Sequence, residues 1–117
     1  MATILVVDDE EPIREAERLF LQLAGHRVLL AIHGGDALKV VERERPDLVI
    51  SDVMMPVMDG LELARRLKAI GTTPVILTSA AGPPGARDGE IEAFVPKPFV
   101  MQELEQLVER LLGDAAP

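Results

Sequence analysis

The fold of this chain is set by the stretch Ile4-Leu5-Val6-Val7-Asp8-Asp9-Glu10-Glu11, in which a short apolar run ends in four acids. Continuous apolar runs of this length are typical of strands that are buried on both faces. Further runs of the same kind occur at residues 28–32, 48–50, 75–77 and 93–95. The sequence therefore predicts five buried strands.

Stripes of apolar residues at helical spacing lie between these strands. The first stripe follows Pro12, a residue that suits the first turn of a helix, and consists of Ile13, Ala16, Phe20 and Leu23. The other stripes are Ala37, Leu38 and Val41; Leu61, Ala64, Leu67 and Ile70; and Val100, Leu104, Leu107, Val108 and Leu111. Because right-handed crossovers join strands that alternate with helices, the sequence predicts an α/β fold with a parallel sheet and helices on both faces.

The segment between the fourth and fifth predicted strands does not fit this alternation. It reads Gly82-Pro83-Pro84-Gly85-Ala86-Arg87-Asp88-Gly89 and holds two prolines and three glycines. Proline removes a helical hydrogen bond, and glycine raises the entropic cost of ordering the backbone. We therefore expect a shortened or irregular fourth helix. No linker interrupts the chain, so we expect one domain over residues 1–112 and a flexible tail over residues 113–117.

The composition of the 117 residues disfavours several classes of protein. Twelve Lys and Arg against twenty Asp and Glu give a net charge of −8, which would repel nucleic acid and anionic membrane surfaces. The chain has no cysteine, which excludes disulfides, thiolate metal sites and a cysteine nucleophile. No apolar run approaches the length of a membrane span. We expect a cytoplasmic domain whose partners are proteins or cations.

Polar side chains follow four of the predicted strands. Asp8 and Asp9 follow the first strand, Asp52 the third, Thr78-Ser79 the fourth and Lys97 the fifth. Taken singly, each of these residues has an ordinary structural explanation, such as a helix terminus, a turn or a solvated charge. The carboxyl ends of parallel strands meet at one edge of a sheet, however, and ligands collect there. Their joint appearance at four strand ends therefore favours a functional site.

Three carboxylates at one edge predict a cation. Neighbouring carboxylates repel one another, and a hard cation such as Mg²⁺ takes carboxylate oxygens while it leaves positions for phosphate. A carboxylate can also attack phosphorus and form an acyl phosphate. A lysine close by would offset charge on the phosphoryl oxygens. The sequence therefore predicts Mg²⁺-assisted phosphoryl chemistry on an aspartate.

Four stretches of the chain carry a more specific pattern. They are Ile4-Leu5-Val6-Val7-Asp8-Asp9-Glu10, Asp52-Val53-Met54-Met55-Pro56-Val57-Met58-Asp59-Gly60, Pro74-Val75-Ile76-Leu77-Thr78-Ser79-Ala80 and Phe94-Val95-Pro96-Lys97-Pro98-Phe99. In this order they resemble the response-regulator receiver (CheY-like) family over nearly the whole chain. The resemblance implies a flavodoxin-like, doubly wound sheet of five parallel strands in the order 2-1-3-4-5. It also implies a switch in two-component, or phosphorelay, signal transduction.

The resemblance further implies a role for each site residue. Asp52 would accept a phosphoryl group from a sensor histidine kinase or a histidine phosphotransfer protein, with Lys97 beside it. Mg²⁺ would be held by Asp8, Asp9, Asp52 and the backbone carbonyl of Met54. Ser79 and Phe94 would form the switch that a downstream protein partner senses. Such a domain catalyses its own phosphorylation and slow dephosphorylation and is not a turnover enzyme.

Two questions stay open at this point. Thr78 competes with Ser79 for the switch hydroxyl, although the small Ala80 directly after Ser79 favours Ser79. The chain could also be a receiver-like interaction module that works without phosphorylation, because the segment over residues 82–89 departs from the family pattern. A flavin-binding protein of this fold is disfavoured, since four acids after the first strand would repel the flavin phosphate.

Overall fold

The computed structural model describes residues 1–113, which form one five-stranded sheet flanked by four helices. In chain order the elements are β1 (Thr3–Val7), α1 (Glu11–Leu23), β2 (Arg27–Ala31), α2 (Gly34–Glu44), β3 (Leu48–Asp52), α3 (Gly60–Ile70), β4 (Val75–Ser79), β5 (Ala93–Pro96) and α4 (Met101–Gly113). Neighbouring strands are all parallel, in the order β2-β1-β3-β4-β5. This confirms the predicted fold and strand order. The predicted tail lies outside the described residues, except for Gly113, with which α4 ends.

Each face of the sheet carries its own apolar core. Odd-numbered residues of β1 to β4, such as Leu5 and Val49, pack on the side of α2 and α3. Even-numbered residues of these strands, such as Ile4 and Ile50, pack on the side of α1 and α4, whereas the numbering is reversed in β5, where Val95 faces α1 and α4. This division follows from the alternation of side chains along a strand. It also decides on which face of the sheet each side chain at the strand ends lies.

Side chains cap two of the helices. The side chain of Asp59 accepts a hydrogen bond from the Glu62 amide at the start of α3, at 2.8 Å. The ring of His33 accepts one from the Asp36 amide at the start of α2, at 3.0 Å. Both caps satisfy amides that a helix leaves without an internal partner. Within residues 1–113, no helix is both long enough and apolar enough to cross a membrane.

The segment between β4 and β5 is irregular, as predicted. Its backbone forms no helix, and Gly82, Gly85 and Gly89 adopt positive φ angles of 96°, 74° and 86°. Ion pairs tie the segment to α3 instead. The guanidinium of Arg65 pairs with the carboxylate of Glu90, with Nε at 2.6 Å from Oε2. Arg65 thus links the segment to α3.

Helix α1 buries a different face from the predicted one. Leu23 is 87% exposed and Ala16 is also exposed, although both belong to the predicted stripe. The residues that α1 buries fully are Glu17 and Leu21. The prediction of this stripe was therefore wrong in two of its four positions. Glu17 was not among the predicted positions, yet Ile13, Glu17 and Leu21 share the four-residue spacing of the face that is turned to the sheet.

Glu17 is a buried acid in an otherwise apolar core. Its side chain is 1% exposed, beneath the strand ends that carry Asp8 and Asp52. Burial raises the pKa of Glu17 to about 8, and the negative charges of Asp8 and Asp52 act in the same direction, while the Lys97 ammonium opposes them. At neutral pH the Glu17 carboxyl of the folded, metal-free protein is therefore mostly protonated.

The buried carboxyl predicts a pH-dependent stability. Below the ordinary pKa of 4.5, Glu17 is protonated in both the folded and the unfolded chain. Between 4.5 and about 8 the unfolded chain ionises while the folded chain keeps the proton, so the free energy of unfolding falls as pH rises, and above about 8 the loss is complete. Glu17→Gln should therefore stabilise the protein, with a gain that grows by on the order of 3–4 kcal/mol from pH 5 to pH 8.

Urea denaturation in EDTA at pH 5 and pH 8 measures this gain. The exposed Glu11 lies in the first turn of the same helix, so Glu11→Gln is a matched control for the loss of one carboxylate from α1. An equal gain from Glu17→Gln at both pH values would show that Glu17 does not titrate between them.

Candidate functional site

Two buried carboxylates and one ammonium meet at the carboxyl edge of the sheet. Asp8 directly follows β1 and Asp52 ends β3, and they are only 1% and 4% exposed. Both lie two residues after apolar residues of the face that packs against α1 and α4, so their side chains share that face. The Lys97 Nζ lies 3.2 Å from Oδ2 of Asp8 and 3.4 Å from Oδ1 of Asp52. The structure thus brings together three of the predicted site residues.

The surroundings of this group shift the pKa values of Asp52 and Lys97. Burial raises the pKa of Asp52, and the negative charges of Asp8 and Asp9 raise it further, while the Lys97 ammonium offsets part of the rise. Burial alone would lower the pKa of Lys97, but the carboxylates of Asp8 and Asp52 outweigh it and raise that pKa. Lys97 is therefore a permanent positive charge beside Asp52 at neutral pH.

Carboxylate oxygens converge here in a way that suits a hard cation. One oxygen from each of Asp8, Glu10 and Asp52 lies within 4.8 Å of the other two. Asp9 is exposed and is not a member of this group, although its charge contributes to the raised pKa of Asp52. An all-oxygen donor set with carboxylates fits Mg²⁺. Sequence reasoning included Glu10 in the acidic run but did not identify it as a candidate ligand.

Hydrogen bonds fix the loop that carries Asp8. The Asp8 amide donates to the Ala31 carbonyl at 3.2 Å, and the Glu10 amide donates to Oδ1 of Asp8 at 2.9 Å. From α1, Nη1 of Arg14 donates to the Asp8 carbonyl at 2.8 Å. Arg14 was not predicted as part of the site, because its role depends on the path of the loop. These contacts hold the Asp8 carboxylate in place toward Lys97.

The loop after Asp52 packs tightly against the strand that it leaves. The Gly60 amide donates to the Val53 carbonyl at 2.9 Å, and a Cβ atom at Gly60 would overlap the backbone carbonyl of Asp52. Val57 adopts a positive φ of 70°, which is unfavourable for a β-branched residue. Met54, whose carbonyl is a predicted Mg²⁺ ligand, lies in the same loop with its side chain 62% exposed. Tertiary contacts, more than local preference, therefore hold this loop in its conformation.

The two hydroxyls at the end of β4 lie on opposite faces of the sheet. Ser79 is buried, and its Oγ accepts a hydrogen bond from the Ala81 amide at 3.0 Å. Two residues before it, Leu77 belongs to the core on the side of α2 and α3, against which the half-buried Phe94 also packs. Thr78 lies on the other face, with Asp52. The predicted switch residues Ser79 and Phe94 thus share one face, and their roles stay predictions.

Residues 1–113 contain a second group of possible metal ligands, and hydrogen bonds account for its arrangement. It consists of His26, Glu105 and Glu109. The Ala2 amide donates to Nδ1 of His26 at 3.3 Å, so a neutral ring carries its proton on Nε2. Nε2 lies 3.0 Å from Oε1 of Glu109 and donates this proton to it. A metal ion would need the lone pair of that nitrogen, so we assign this group to the packing of α4.

Curated proteins with similar sequences are response regulators. Response regulator MprA of Mycobacterium leprae (strain TN) is 39% identical over 119 residues, which cover 97% of this chain and 52% of that protein. The protein of the same name from Mycobacterium avium (strain 104) is 38% identical over the same lengths. The chain therefore spans about half the length of the curated relatives that it matches.

Solved structures of receiver domains have the same fold. The receiver domain of a signal transduction histidine kinase from Syntrophus aciditrophicus is 33% identical, with a TM-score of 0.89 over 97% of this chain and 92% of that one. A response regulator receiver domain protein from Clostridium thermocellum is 25% identical, with a TM-score of 0.91 over 98% and 97%. The family model of the response regulator receiver domain matches residues 4–109. This chain therefore belongs to the response regulator receiver domain family.

Proposed function

We propose that this chain is the phosphoryl-accepting domain of a two-component system and that Asp52 is its phosphoacceptor. The observation that carries the proposal is the buried Asp8–Lys97–Asp52 group at the carboxyl edge of the sheet. The donor would be a sensor histidine kinase or a histidine phosphotransfer protein. The expected domain covers residues 1–112, and its expected location is the cytoplasm.

The chemistry follows from the groups at this edge. An Oδ atom of Asp52 would form a bond to phosphorus as the phosphorus–nitrogen bond of a phosphohistidine breaks, and the histidine nitrogen would leave with the electron pair. The Lys97 ammonium lies where it would offset negative charge on the phosphoryl oxygens. The domain would thus catalyse its own phosphorylation and, with water as the acceptor, slow dephosphorylation.

The residues present fit the predicted Mg²⁺. Asp8, Asp9, Asp52 and the Met54 carbonyl would hold the ion, and the position of Glu10 makes it a further candidate. When bound, Mg²⁺ would supply positive charge for the phosphoryl oxygens. The Lys97 ammonium pairs with both buried carboxylates, those of Asp8 and Asp52.

The switch would work through the face that carries Ser79 and Phe94. Ser79 and Asp52 lie on opposite faces, but each ends its strand at the carboxyl edge, and a phosphoryl group on Asp52 would extend past that edge. The Ser79 Oγ accepts from the Ala81 amide, so its own proton would be available to a phosphoryl oxygen there. A shift of Ser79 toward that oxygen would leave space for the half-buried Phe94 ring, and this repacking would change the surface that a downstream protein partner binds. With a net charge of −8, we expect no direct binding to nucleic acid or to a membrane.

An interaction module that works without phosphorylation is the second candidate function. The irregular segment between β4 and β5 favours it, because a face of the sheet that a helix would cover is covered by a loop held through Arg65 and Glu90. The two functions differ in one measurable property, which is whether Asp52 accepts phosphate.

Acetyl phosphate with Mg²⁺ should add one phosphate to the protein, and Asp52→Asn should abolish the addition because the nucleophilic carboxylate is gone. Intact mass spectrometry measures the added mass. The matched control is Asp88→Asn, which changes an exposed aspartate of the irregular segment and should leave the phosphorylation intact. Phosphate on the Asp52→Asn variant would contradict the assignment, and no phosphate on the unaltered protein would favour the interaction module.

The metal ligands can be separated by comparing Asp9→Asn with Glu10→Gln. Each change removes one negative charge, so both lose the same long-range attraction for Mg²⁺. If Asp9 is a ligand as predicted, Asp9→Asn should weaken Mg²⁺ binding by about tenfold or more, and Glu10→Gln by much less. Calorimetric titration with MgCl₂ measures both affinities. A larger loss from Glu10→Gln would instead assign the ion to the Asp8–Glu10–Asp52 oxygens.

A further inference from the structure

Thr78 is the direct neighbour of Asp52 across the sheet. Strands β3 and β4 are parallel, and their register pairs Ile50 with Ile76 and Asp52 with Thr78. Ile50 and Ile76 both belong to the core beneath α1 and α4, so the side chains two residues later return to that face. Neighbouring strands lie about 4.8 Å apart, so side chains paired in this way on one face are direct neighbours. The Thr78 side chain therefore lies beside the predicted phosphoacceptor.

This hydroxyl has no hydrogen-bond partner. Thr78 is 1% exposed, and its Oγ1 is the one buried side-chain polar atom of residues 1–113 that lacks a partner. Leaving a buried hydroxyl unpaired lowers stability, and valine would fill the same volume without that loss. The hydroxyl of Ser79 differs, because it already accepts a hydrogen bond from the Ala81 amide. A second, unpaired hydroxyl beside Asp52 therefore calls for an explanation.

The side chain of Lys97 passes over the strand that holds Thr78. Thr78 is paired in register with Val95 of β5, and Lys97 comes two residues after Val95, on the same face. From there its Nζ reaches Asp52 at the end of β3 and Asp8 after β1. Since β4 lies between β5 and β3, the lysine side chain crosses β4 on the Thr78 side of the sheet.

We propose that Thr78 is a positioning residue for the Asp52–Lys97 pair, which it bridges by accepting a hydrogen bond from Lys97 Nζ and donating one to the Asp52 carboxylate. In the structure the ammonium is shared between Asp8 and Asp52, and the Thr78 hydroxyl is unpaired. If the Asp8 carboxylate were engaged by a cation, Lys97 would lose one of its two acceptors. The Thr78 hydroxyl would then supply an acceptor on the same face and keep the ammonium beside Asp52. This inference rests on the proposed function of Asp52.

The experiment compares Thr78→Val, which keeps the shape and removes the hydroxyl, with Thr78→Ser, which keeps the hydroxyl. In EDTA, Thr78→Val should raise the melting temperature by roughly 4 °C, because the unpaired hydroxyl is gone. With acetyl phosphate and Mg²⁺, the same variant should be phosphorylated about fivefold more slowly, as expected for the loss of one hydrogen bond. Thr78→Ser should keep the rate of the unaltered protein. The control Thr3→Val changes a threonine at the amino end of the inner strand β1, away from the carboxyl edge, and should leave the rate unchanged.

Each other outcome decides against the inference. Equal phosphorylation rates for the unaltered protein and Thr78→Val would refute this inference and leave the proposed function intact. An equal slowing by Thr78→Val and Thr78→Ser would do the same. A destabilised or unfolded Thr78→Val would show that the hydroxyl already has a partner in the metal-free state. Absence of phosphate on the unaltered protein would instead refute the proposed function, and this inference with it.

Discussion

The ion pairs of Lys97 with Asp8 and Asp52 are the interaction on which the carboxyl edge of the sheet depends. Two carboxylates that are almost fully buried repel each other, and removing the compensating partner of a buried charge typically costs about 3–5 kcal/mol. The fold supplies the three groups from the residue after β1, the last residue of β3 and the residue after β5. Their common face follows from side-chain alternation in parallel strands of fixed register. The sheet thus places the site, and the loops around it hold it in position.

Polar groups lie in the core beneath this site where apolar groups would be more stable. Glu17 and Thr78 are both buried on the face that α1 and α4 cover, one as an acid whose pKa is raised to about 8 and the other as an unpaired hydroxyl. Neither stabilises the fold as an apolar side chain of the same size would. Both lie close to the charges of Asp8, Asp52 and Lys97, so a change of charge at the site changes the electrostatic potential at these buried groups.

Most of the fold and the outline of the site could be predicted from the sequence, because both depend on local patterns. The five apolar runs each became a strand, and the prolines and glycines of residues 82–89 correctly indicated an irregular segment. The buried face of α1 could not be predicted, since Glu17 is polar by composition and buried only through its tertiary surroundings. The contacts of Arg14 and Glu10 with the site depend on the path of one loop, which no periodic pattern encodes.

The most direct measurement is a titration of the ¹⁵N-labelled protein with beryllofluoride, a mimic of the phosphoryl group, followed by backbone amide NMR shifts. If Asp52 is the acceptor beside a cation site, saturable shifts should appear at Asp52 and Ser79, extend to Phe94, and require Mg²⁺. Shifts that stay absent at Asp52 when both Mg²⁺ and beryllofluoride are saturating would contradict the assignment of this edge as a phosphorylation site.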